Sequence, residues 1–492
     1  DSSTSRGLGD VYKRQVQEAS LKGQERRLIM KKLSAEKRNM ILEGNLFQAI
    51  IVLAIPIMIN SFIQSMYNLT DTYWLGQIGT NPMAAITLVS PVQNIIINFG
   101  QGITTAGAIL ISQYIGAGEK RQAGIMANHL YICSMIFAFV CASICIIATP
   151  GIVRWLGADG DVLNFGITYL RVVVIDMPFL FTINMYNAIR QAQGDTLKPM
   201  LMNLLGICIN FVLDPLLMIV FDMGILGAAL ATLLAKVPPA LICLYSLFKT
   251  KQGIRLSLRG FHFESSKILS IIKVGLPTAI GGSTMQFGFL LMTKNVLKYG
   301  SIATAAYGIG NKINSIITMP SNGIGSAVST IVGQNMGARQ VDRANKGYKI
   351  AMAMAIIFLF VGGMIFSRRP VSQALVNIFT KDGAVSNLAT DFLSLMAFWC
   401  WTNGIYNATS GLFQGSGHTM ITMLVDASRI WVFRFLVLFI CETILHLGVA
   451  SIWYAVVVSN ATSSVILIIL YFTGIWRKST VKIESDSEKQ AA

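Results

Sequence analysis

The stretch LFQAIIVLAIPIMINSFIQSMYNLT at residues 46–70 decides the class of fold, because it carries no charged side chain from end to end. A helix of about 20 apolar residues crosses the roughly 30 Å of hydrocarbon in a bilayer. Eleven more apolar segments follow, at 84–111, 126–149, 163–188, 197–221, 224–248, 268–297, 304–333, 348–367, 386–411, 418–445 and 448–472. We therefore predict an all-α polytopic membrane protein with twelve transmembrane helices.

The composition excludes a water-soluble protein, since 53% of the 492 residues are hydrophobic and only 13% are charged. The net charge of +16 comes from Lys and Arg at segment ends and in the tails, which favours anionic lipid headgroups over nucleic acid as partners. The seven Cys and four His show neither CxxC nor HExxH spacing, so no metal centre or other cofactor is expected.

The basic residues also orient the helices. Loops on the side of the N-terminal tail, such as 249–267, hold most of the interhelical Lys and Arg, whereas the opposite side has few. Cytoplasmic loops of membrane proteins carry this excess of positive charge. Both termini are therefore expected in the cytoplasm.

A shift of 221 residues lays 50–124 over 271–345 without a gap. The identical pairs include Pro56 with Pro277, Thr72 with Thr293, Gly79 with Gly300, Gly102 with Gly323, Gln113 with Gln334, Gly116 with Gly337, and Ala117 with Ala338. Repeats of six helices each have the same orientation in the membrane. We predict two pseudo-symmetric lobes of six helices.

The domain boundaries follow from this repeat. The N-lobe is 46–248, the basic loop 249–267 joins it to the C-lobe at 268–472, and 1–45 and 473–492 are cytoplasmic tails. Met30, followed by two lysines, is a plausible natural start, which would leave residues 1–29 as foreign sequence.

Two parallel six-helix lobes are frequent in secondary transporters, where one lobe rocks against the other around a central site. The chain has no Walker A, GxSxG or HExxH motif, so neither ATP hydrolysis nor a familiar catalytic centre is expected. An ion gradient is then the expected driving force. A passive channel is less favoured, because no filter-like sequence is present.

Acidic residues inside the apolar segments are functional candidates, since a buried carboxylate costs a few kcal/mol in hydrocarbon. Asp71 lies near the end of the first segment, and Asp214 lies in the fifth, four residues after Asn210. Thr232 of the sixth segment adds a hydroxyl. This group could share a proton or bind Na⁺ through oxygen alone. A helix-end position for Asp71 and a turn position for Asp214 are the structural alternatives.

Other intramembrane charges have structural explanations. Asp426 and Arg429 are spaced to pair on one helix face, either as a structural bridge or as part of ion coupling. Asp176, two residues before Pro178, has either a direct or a structural role. Lys236 and Arg190 are expected to extend towards the membrane surface.

The polar residues of the expected cavity lie on two helices. Gln64 and Tyr67 share a face with Asp71, and Asn184 and Asn187 add amides on the fourth segment. Pro56 removes a hydrogen bond within the first helix and allows a bend there.

Five short sequences resemble the multidrug and toxic compound extrusion (MATE) family, most closely its bacterial branch containing the DinF and MepA exporters. They are YNLTDT at 67–72, GAG at 116–118, GAR at 337–339, RQAQGD at 190–195 and NFVLDP at 210–215. The similarity runs from about Leu46 to Phe472. It implies cation-coupled export of amphiphilic, often cationic drugs by a monomeric protein of the bacterial inner (plasma) membrane.

The resemblance also implies residue roles. The coupling cation, H⁺ rather than Na⁺, would bind at Asp71, Asn210, Asp214 and Thr232. The helix bend would form at Pro56. The residues that would contact drugs are Gln64, Tyr67, Asn184, Asn187 and Asn210. Met285 and Asn403 stand where the NorM-type branch carries acidic residues, so a Na⁺ site in the C-lobe is not expected.

An alternative is a flippase for lipid-linked oligosaccharides or peptidoglycan precursors, which can share this fold. A flippase is expected to have a cationic cleft. Arg429 and Arg434 are the sequence's hint of one.

Overall fold

The computed structural model describes residues 36–249 and 253–479, and it consists of helices joined by short loops. The first half contains α1 Leu46–Ile78, α2 Thr80–Gly116, α3 Lys120–Trp155, α4 Gly160–Ile175, α5 Met177–Ala192, α6 Leu197–Pro215 and α7 Gly224–Lys249. The second half contains α8 Ser265–Leu297, α9 Ser301–Gly337, α10 Val341–Phe366, α11 Arg369–Val376, α12 Gly383–Phe398, α13 Trp401–Gly415, α14 Thr419–Ser428, α15 Phe435–Phe439 and α16 Ala450–Phe472. The proposed start at Met30 lies outside the described residues.

These helices form twelve spans within the described ranges. Eight helices are individually long and apolar enough to cross a membrane, and α4 with α5, bent by 43°, forms a ninth. The other three are α9, the pair α12 and α13, and the series α14 and α15, which π-helical turns at Arg429–Arg434 and Ile440–Ile444 continue. The prediction of an all-helical polytopic protein is confirmed.

The two halves contact each other reciprocally, as a repeat with twofold pseudo-symmetry requires. Helix α1 packs against α9, its counterpart α8 packs against α2, and α2 and α9 pack against each other. At the end of this contact, a Cβ added to Gly116 would lie 1.9 Å from the Gln334 carbonyl oxygen. A Cβ added to Gly337 would lie 1.9 Å from the Gln113 carbonyl oxygen. The halves therefore meet backbone to backbone on the face that carries the basic loops.

The chain before α1 reinforces this contact. Residues 36–42 are helical, and Ile41 is fully buried in the apolar core formed by α1, α9, α10 and α13. Arg38 donates hydrogen bonds to the carbonyl oxygens of Ile115 and Gly116 at the end of α2, both at 3.1 Å. Arg343 of α10 donates to the Ile41 carbonyl oxygen at 3.1 Å. This short helix, which the sequence assigned to a tail, thus contacts both halves.

Candidate functional site: a polar cavity between the two halves

A cavity of about 1080 Å³ lies on the side of the first half that faces the second. Helices α1, α2, α5, α6 and α7 supply most of its wall, while Ser326 and Ser329 of α9 and Gln414 of α13 close it from the other half. Pockets that hold drug-sized ligands have volumes of this order, about 300 to 1000 Å³. The cavity is therefore large enough for a drug-sized guest.

The structure brings nearly all of the sequence-predicted site residues to this cavity. Its wall includes Pro56, Gln64, Tyr67, Asp71, Asn184, Asn187, Asn210 and Thr232. Asp214 lies directly behind the wall, where its Oδ1 accepts a hydrogen bond of 3.0 Å from Asn210 Nδ2. Pro56 lies inside α1, which remains helical from Leu46 to Ile78.

The four residues proposed to bind the coupling cation come from three helices. Asn210 and Asp214 share one face of α6, as their four-residue spacing predicts, and both are buried. Thr232 of α7 donates to the Ala228 carbonyl oxygen at 3.1 Å and is within hydrogen-bonding reach of the Tyr67 hydroxyl. Asp71 is close enough to Asp214 for the two carboxylates to interact electrostatically. The group is thus assembled in space.

Two oxygen atoms of this group lack a hydrogen-bond donor among the described residues, namely Asp214 Oδ2 and Asn210 Oδ1. A buried oxygen without a partner is costly, because it has given up its bonds to water. Oxygen acceptors next to a second carboxylate suit a proton or a Na⁺ ion. No group of three His, Cys, Asp or Glu side chains with metal-ligand geometry occurs in the described ranges, so a transition-metal site has no support.

The amides of α5 leave hydrogen-bonding capacity at the cavity wall. Asn187 Nδ2 donates to Asn203 Oδ1 at 3.5 Å, and Asn203 Nδ2 donates to Asn60 Oδ1 at 3.0 Å. Asn184 Nδ2 and Asn187 Oδ1 have no protein partner among the described residues. Asn184 Nδ2 can donate a hydrogen bond to a bound molecule, and Asn187 Oδ1 can accept one from it.

The sequence missed a further ionic contact beside the cavity. Lys236 lines the cavity and forms an ion pair with Asp176, so the expectation that it extends to the membrane surface is wrong. Its position was a usable signal, since Lys236 is at the middle of the apolar segment 224–248 and a lysine there is too deep to reach water easily.

Arg190 was also expected to extend to the surface, and this expectation is wrong as well. Its guanidinium donates to Ser246 Oγ at 2.8 Å and stacks over the Tyr186 ring, 5.1 Å from the centroid. The residue is only 5% exposed, so it holds α5 to α7 inside the first half.

The charged residues of the second half form a separate, internally bonded cluster. Asp426 pairs with Arg429 at 3.3 Å, as their spacing predicted, and accepts a hydrogen bond from Tyr406. Arg434 donates to Ser459 Oγ and Asn460 Oδ1, both at 3.1 Å. None of these residues lines the cavity. Asp426 therefore balances the charge of Arg429, and Arg434 is held by neutral hydrogen-bond acceptors.

The positions where the NorM-type branch carries acidic residues are neutral here. Met285 of α8 is beside Arg429, whose guanidinium contacts its sulfur at 2.8 Å, and Asn403 is in α13. The positive charge of Arg429 at this point disfavours binding of an additional cation.

Comparison with known proteins agrees with this architecture. The chain matches the MatE family over residues 56–216 and 277–440. It is 24% identical over 436 residues to the probable multidrug resistance protein YoeA of Bacillus subtilis, covering 87% of this chain and 93% of that protein. It is 25% identical to the probable multidrug resistance protein NorM of Thermotoga maritima, with 88% and 93% covered. For the multidrug export protein MepA of Staphylococcus aureus, the identity is 24%, with 86% and 93% covered.

Solved structures show the same fold. An outward-facing conformation of a multidrug resistance MATE family transporter superposes with a TM-score of 0.85 at 25% identity, covering 89% of this chain and 97% of that one. The crystal structure of MATE in complex with MaL6 gives a TM-score of 0.84 at 26% identity, covering 89% of this chain and 98% of that one. The family match spans both repeat halves and includes most of the cavity wall. The chain therefore belongs to the MatE family and is a multi-pass membrane transporter.

Proposed function

We propose that this protein is a cation-coupled antiporter that exports amphiphilic, often cationic drugs, with H⁺ favoured over Na⁺ as the coupling ion. The observation that carries the proposal is one cavity that is lined by Asp71, has the buried Asp214 directly behind its wall, and carries amide atoms without a partner at Asn184 and Asn187. Drug and coupling cation would bind in the same half of the protein, so each can affect the binding of the other.

Three features support drugs as the substrates. Relatives that align along most of their length are named as multidrug resistance or multidrug export proteins. The cavity volume suits drug-sized molecules. Its wall combines apolar side chains such as Met83, Met200 and Met202 with amides, and flexible methionines adapt to guests of different shape.

The proposed coupling step uses the acidic group of α1 and α6. When Asp71 and Asp214 are ionised, two carboxylates at close range repel each other and attract a cationic drug into the cavity. When the coupling cation binds between them, this attraction is lost and the two helices can approach. Drug release and cation binding are thereby linked through the same charges.

A bend at Pro56 would convert this local change into a change of cavity shape. Proline leaves the carbonyl four residues before it without its helical hydrogen bond, so α1 can bend there at low cost. Solved MATE structures with TM-scores of 0.83 and 0.84 are described as being in a bent and a straight conformation. We propose that α1 of this protein alternates in the same way.

Alternating access requires the cavity to open to the two sides of the membrane in turn. In this structure α2 and α9 meet at Gly116 and Gly337 on the basic face. With that face in the cytoplasm of a bacterial plasma membrane, the structure is closed to the cytoplasm. The proposed transport unit is the monomer with its own cavity.

The arrangement of the acidic group supports a proton as the proposed coupling ion. A proton needs one acceptor, such as Asp214 Oδ2, whereas Na⁺ needs several oxygen ligands arranged around it. Asn210 Oδ1, Thr232 Oγ1 and the two carboxylates could supply such ligands, but these groups lie on three helices and would have to converge on one ion. A proton requires no such convergence, and this favours H⁺ as the proposed coupling ion.

The test is efflux of ethidium from proteoliposomes in which a pH gradient and a Na⁺ gradient are imposed separately. Acceleration by the pH gradient alone is expected. Acceleration by the Na⁺ gradient alone would replace the proton with Na⁺, and flux that ignores both gradients would exclude antiport. Asp71→Asn is expected to abolish gradient-driven efflux, with folding checked by size-exclusion chromatography.

The flippase alternative has weaker support. A pyrophosphate-bearing lipid needs a cationic cleft, and Lys236 is the only cationic side chain of the described residues that lines the cavity. Arg429 and Arg434 are bonded within the second half, away from it. Ethidium efflux in the proteoliposomes would favour the drug antiporter.

A further inference from the structure

The ion pair between Lys236 and Asp176 joins two irregular points of the first half. Asp176 is the residue at which the chain bends by 43° between α4 and α5. Lys236 is in α7, directly before Val237, Pro238 and Pro239. Two successive prolines remove two helical hydrogen bonds, so α7 can also deform here. The pair therefore lies where two helices are easiest to move.

The Lys236 ammonium has hydrogen-bonding capacity beyond its contact with Asp176. Its side chain is 23% exposed and lines the cavity, whereas the side chain of Asp176 is 2% exposed. An ammonium group has three hydrogen-bond donors, and this contact uses one. Lys236 is also close enough to Asp71 to interact with it electrostatically. One ammonium thus faces two carboxylates.

We propose that Lys236 is a tethered cation that alternates between Asp176 and Asp71, and thereby sets how firmly Asp71 holds the coupling cation. The proposal rests on the coupling role of Asp71 proposed above. In the present structure the ammonium is with Asp176, which leaves Asp71 available to a proton or Na⁺. When the coupling cation leaves, the Lys236 ammonium moves to Asp71 and compensates its negative charge. Release of the cation therefore does not leave an unpaired carboxylate in a low-dielectric site.

Among the groups that face the two carboxylates, Lys236 is the one cation in the described residues. The titratable groups that face the two carboxylates are Tyr67 of α1, Tyr169 of α4, Asp214 of α6 and Lys236 itself. The first three are neutral or acidic. Within the described residues, Lys236 is therefore the cation positioned to stabilise ionised Asp71.

Two variants give opposite predictions. Asp176→Asn frees the ammonium to stay with Asp71 and favours its ionised form. Asp176→Asn combined with Lys236→Met removes one negative and one positive charge, so the net charge is unchanged, but Asp71 loses its partner and favours the protonated form. If the ion pair between Lys236 and Asp176 is purely structural, Asp71 should be protonated to the same extent in the two variants.

The probe is dicyclohexylcarbodiimide, which modifies protonated carboxyl groups in apolar surroundings. The labelling rate of the peptide containing Asp71 is measured by mass spectrometry on purified protein at one fixed pH. Relative to the unmodified protein, we expect about tenfold slower labelling in Asp176→Asn and about tenfold faster labelling in the double variant. Equal rates in these two variants would overturn the proposal.

Two controls isolate the effect. Lys294→Met removes an exposed lysine of α8 that does not line the cavity, and it should leave the labelling rate unchanged. Lys236→Arg keeps the charge and should label at nearly the original rate; a rate like that of the double variant would also contradict the proposal. Labelling does not depend on drug transport. If labelling follows the prediction and ethidium efflux fails, the proposed function is wrong, but the exchange of the Lys236 ammonium between Asp176 and Asp71 stands.

Discussion

Gly116 of α2 rests directly on the backbone of Gln334 in α9, so that a Cβ at Gly116 would lie 1.9 Å from the Gln334 carbonyl oxygen. The pseudo-symmetric contact between Gly337 and Gln113 has the same distance. The side chains of the two glutamines continue the pattern, because Gln113 Nε2 donates to the Gly415 carbonyl at 2.8 Å and Gln334 Nε2 donates to the Ala192 carbonyl at 2.7 Å. Each half thus contributes one glycine and one glutamine to the closed basic face.

Gly116→Ala is expected to weaken this closure. Backbone cannot move aside as a flexible side chain can, so the methyl group must push α2 and α9 apart at a cost of about 1–3 kcal/mol. Hydrogen exchange measured by mass spectrometry should become roughly tenfold faster in the peptides around 113–118 and 334–339.

Gly124→Ala is the matched control, since nothing lies within 4 Å of a Cβ built at Gly124 in α3. Because alanine favours a helix over glycine by about 1 kcal/mol, this variant should be neutral or slightly more stable. Unchanged hydrogen exchange in Gly116→Ala would contradict the prediction, because it would show that α2 and α9 can accommodate a methyl group at this contact.

Asp426→Asn should separate stability from coupling. Asp426 and Arg429 are both largely buried, and removing the carboxylate leaves the guanidinium without its ion-pair partner. Breaking one side of a buried pair costs about 3–5 kcal/mol. We expect a melting temperature lower by several degrees, while the efflux that remains in proteoliposomes still follows the pH gradient. Loss of the pH dependence together with retained stability would assign coupling to the second half.

The sequence predicted the twelve spans from apolar length, and it predicted the cavity residues from helical spacing together with the resemblance to a known family. Apolar length identifies a span, and the 221-residue repeat relates the halves. Asn210 and Asp214 share a face because helical spacing determines it. Contacts between helices that are distant in sequence could not be predicted in this way. Gly116 and Gly337 were visible as a repeat match, yet only the packing of α2 on α9 shows why both must lack a side chain.

Lys236 shows why a general rule failed at one position. Lysines near the end of a span reach the membrane surface with their long side chain. Lys236 lies twelve residues after the start of the segment 224–248, where that route is too long. Its partner Asp176 is sixty residues away in sequence, and only the fold brings the two together.

Asp195 should make the stability of the basic face depend on pH. Burial alone would raise the pKa of Asp195, but the ammonium groups of Lys37 and Lys198 outweigh it and hold this pKa below the ordinary value of 3.8. A carboxyl group with a depressed pKa stabilises the fold above its unfolded pKa, and the contribution is lost as the pH falls through the folded value. Asp195→Asn should therefore lower the melting temperature at pH 7, and this effect should decrease as the pH falls below about 4.

Asp391→Asn provides the control for this prediction, because the pair of Asp391 with Arg369 is exposed on both sides. Exposed ion pairs contribute about 0–1 kcal/mol, so thermal unfolding should barely change. A difference between Asp195→Asn and the unmodified protein that does not decrease as the pH falls below about 4 would contradict the assignment to charge.

Arg38→Ala should release the short helix 36–42 from the basic face. Arg38 donates to the last carbonyl groups of α2, which have no partner within the helix, and its charge is favourable at a helix C-terminus. Losing these bonds weakens the attachment of the helix to the first half, where the ion pair of Lys37 with Asp195 remains, while Arg343 still attaches the helix to the second half. We expect amide exchange across 36–45 to accelerate about tenfold, consistent with two hydrogen bonds to a charged donor. Arg121→Ala, at an exposed position on the same face, should leave that exchange unchanged. If both variants exchange alike, the helix is held by Ile41 in the apolar core and not by Arg38.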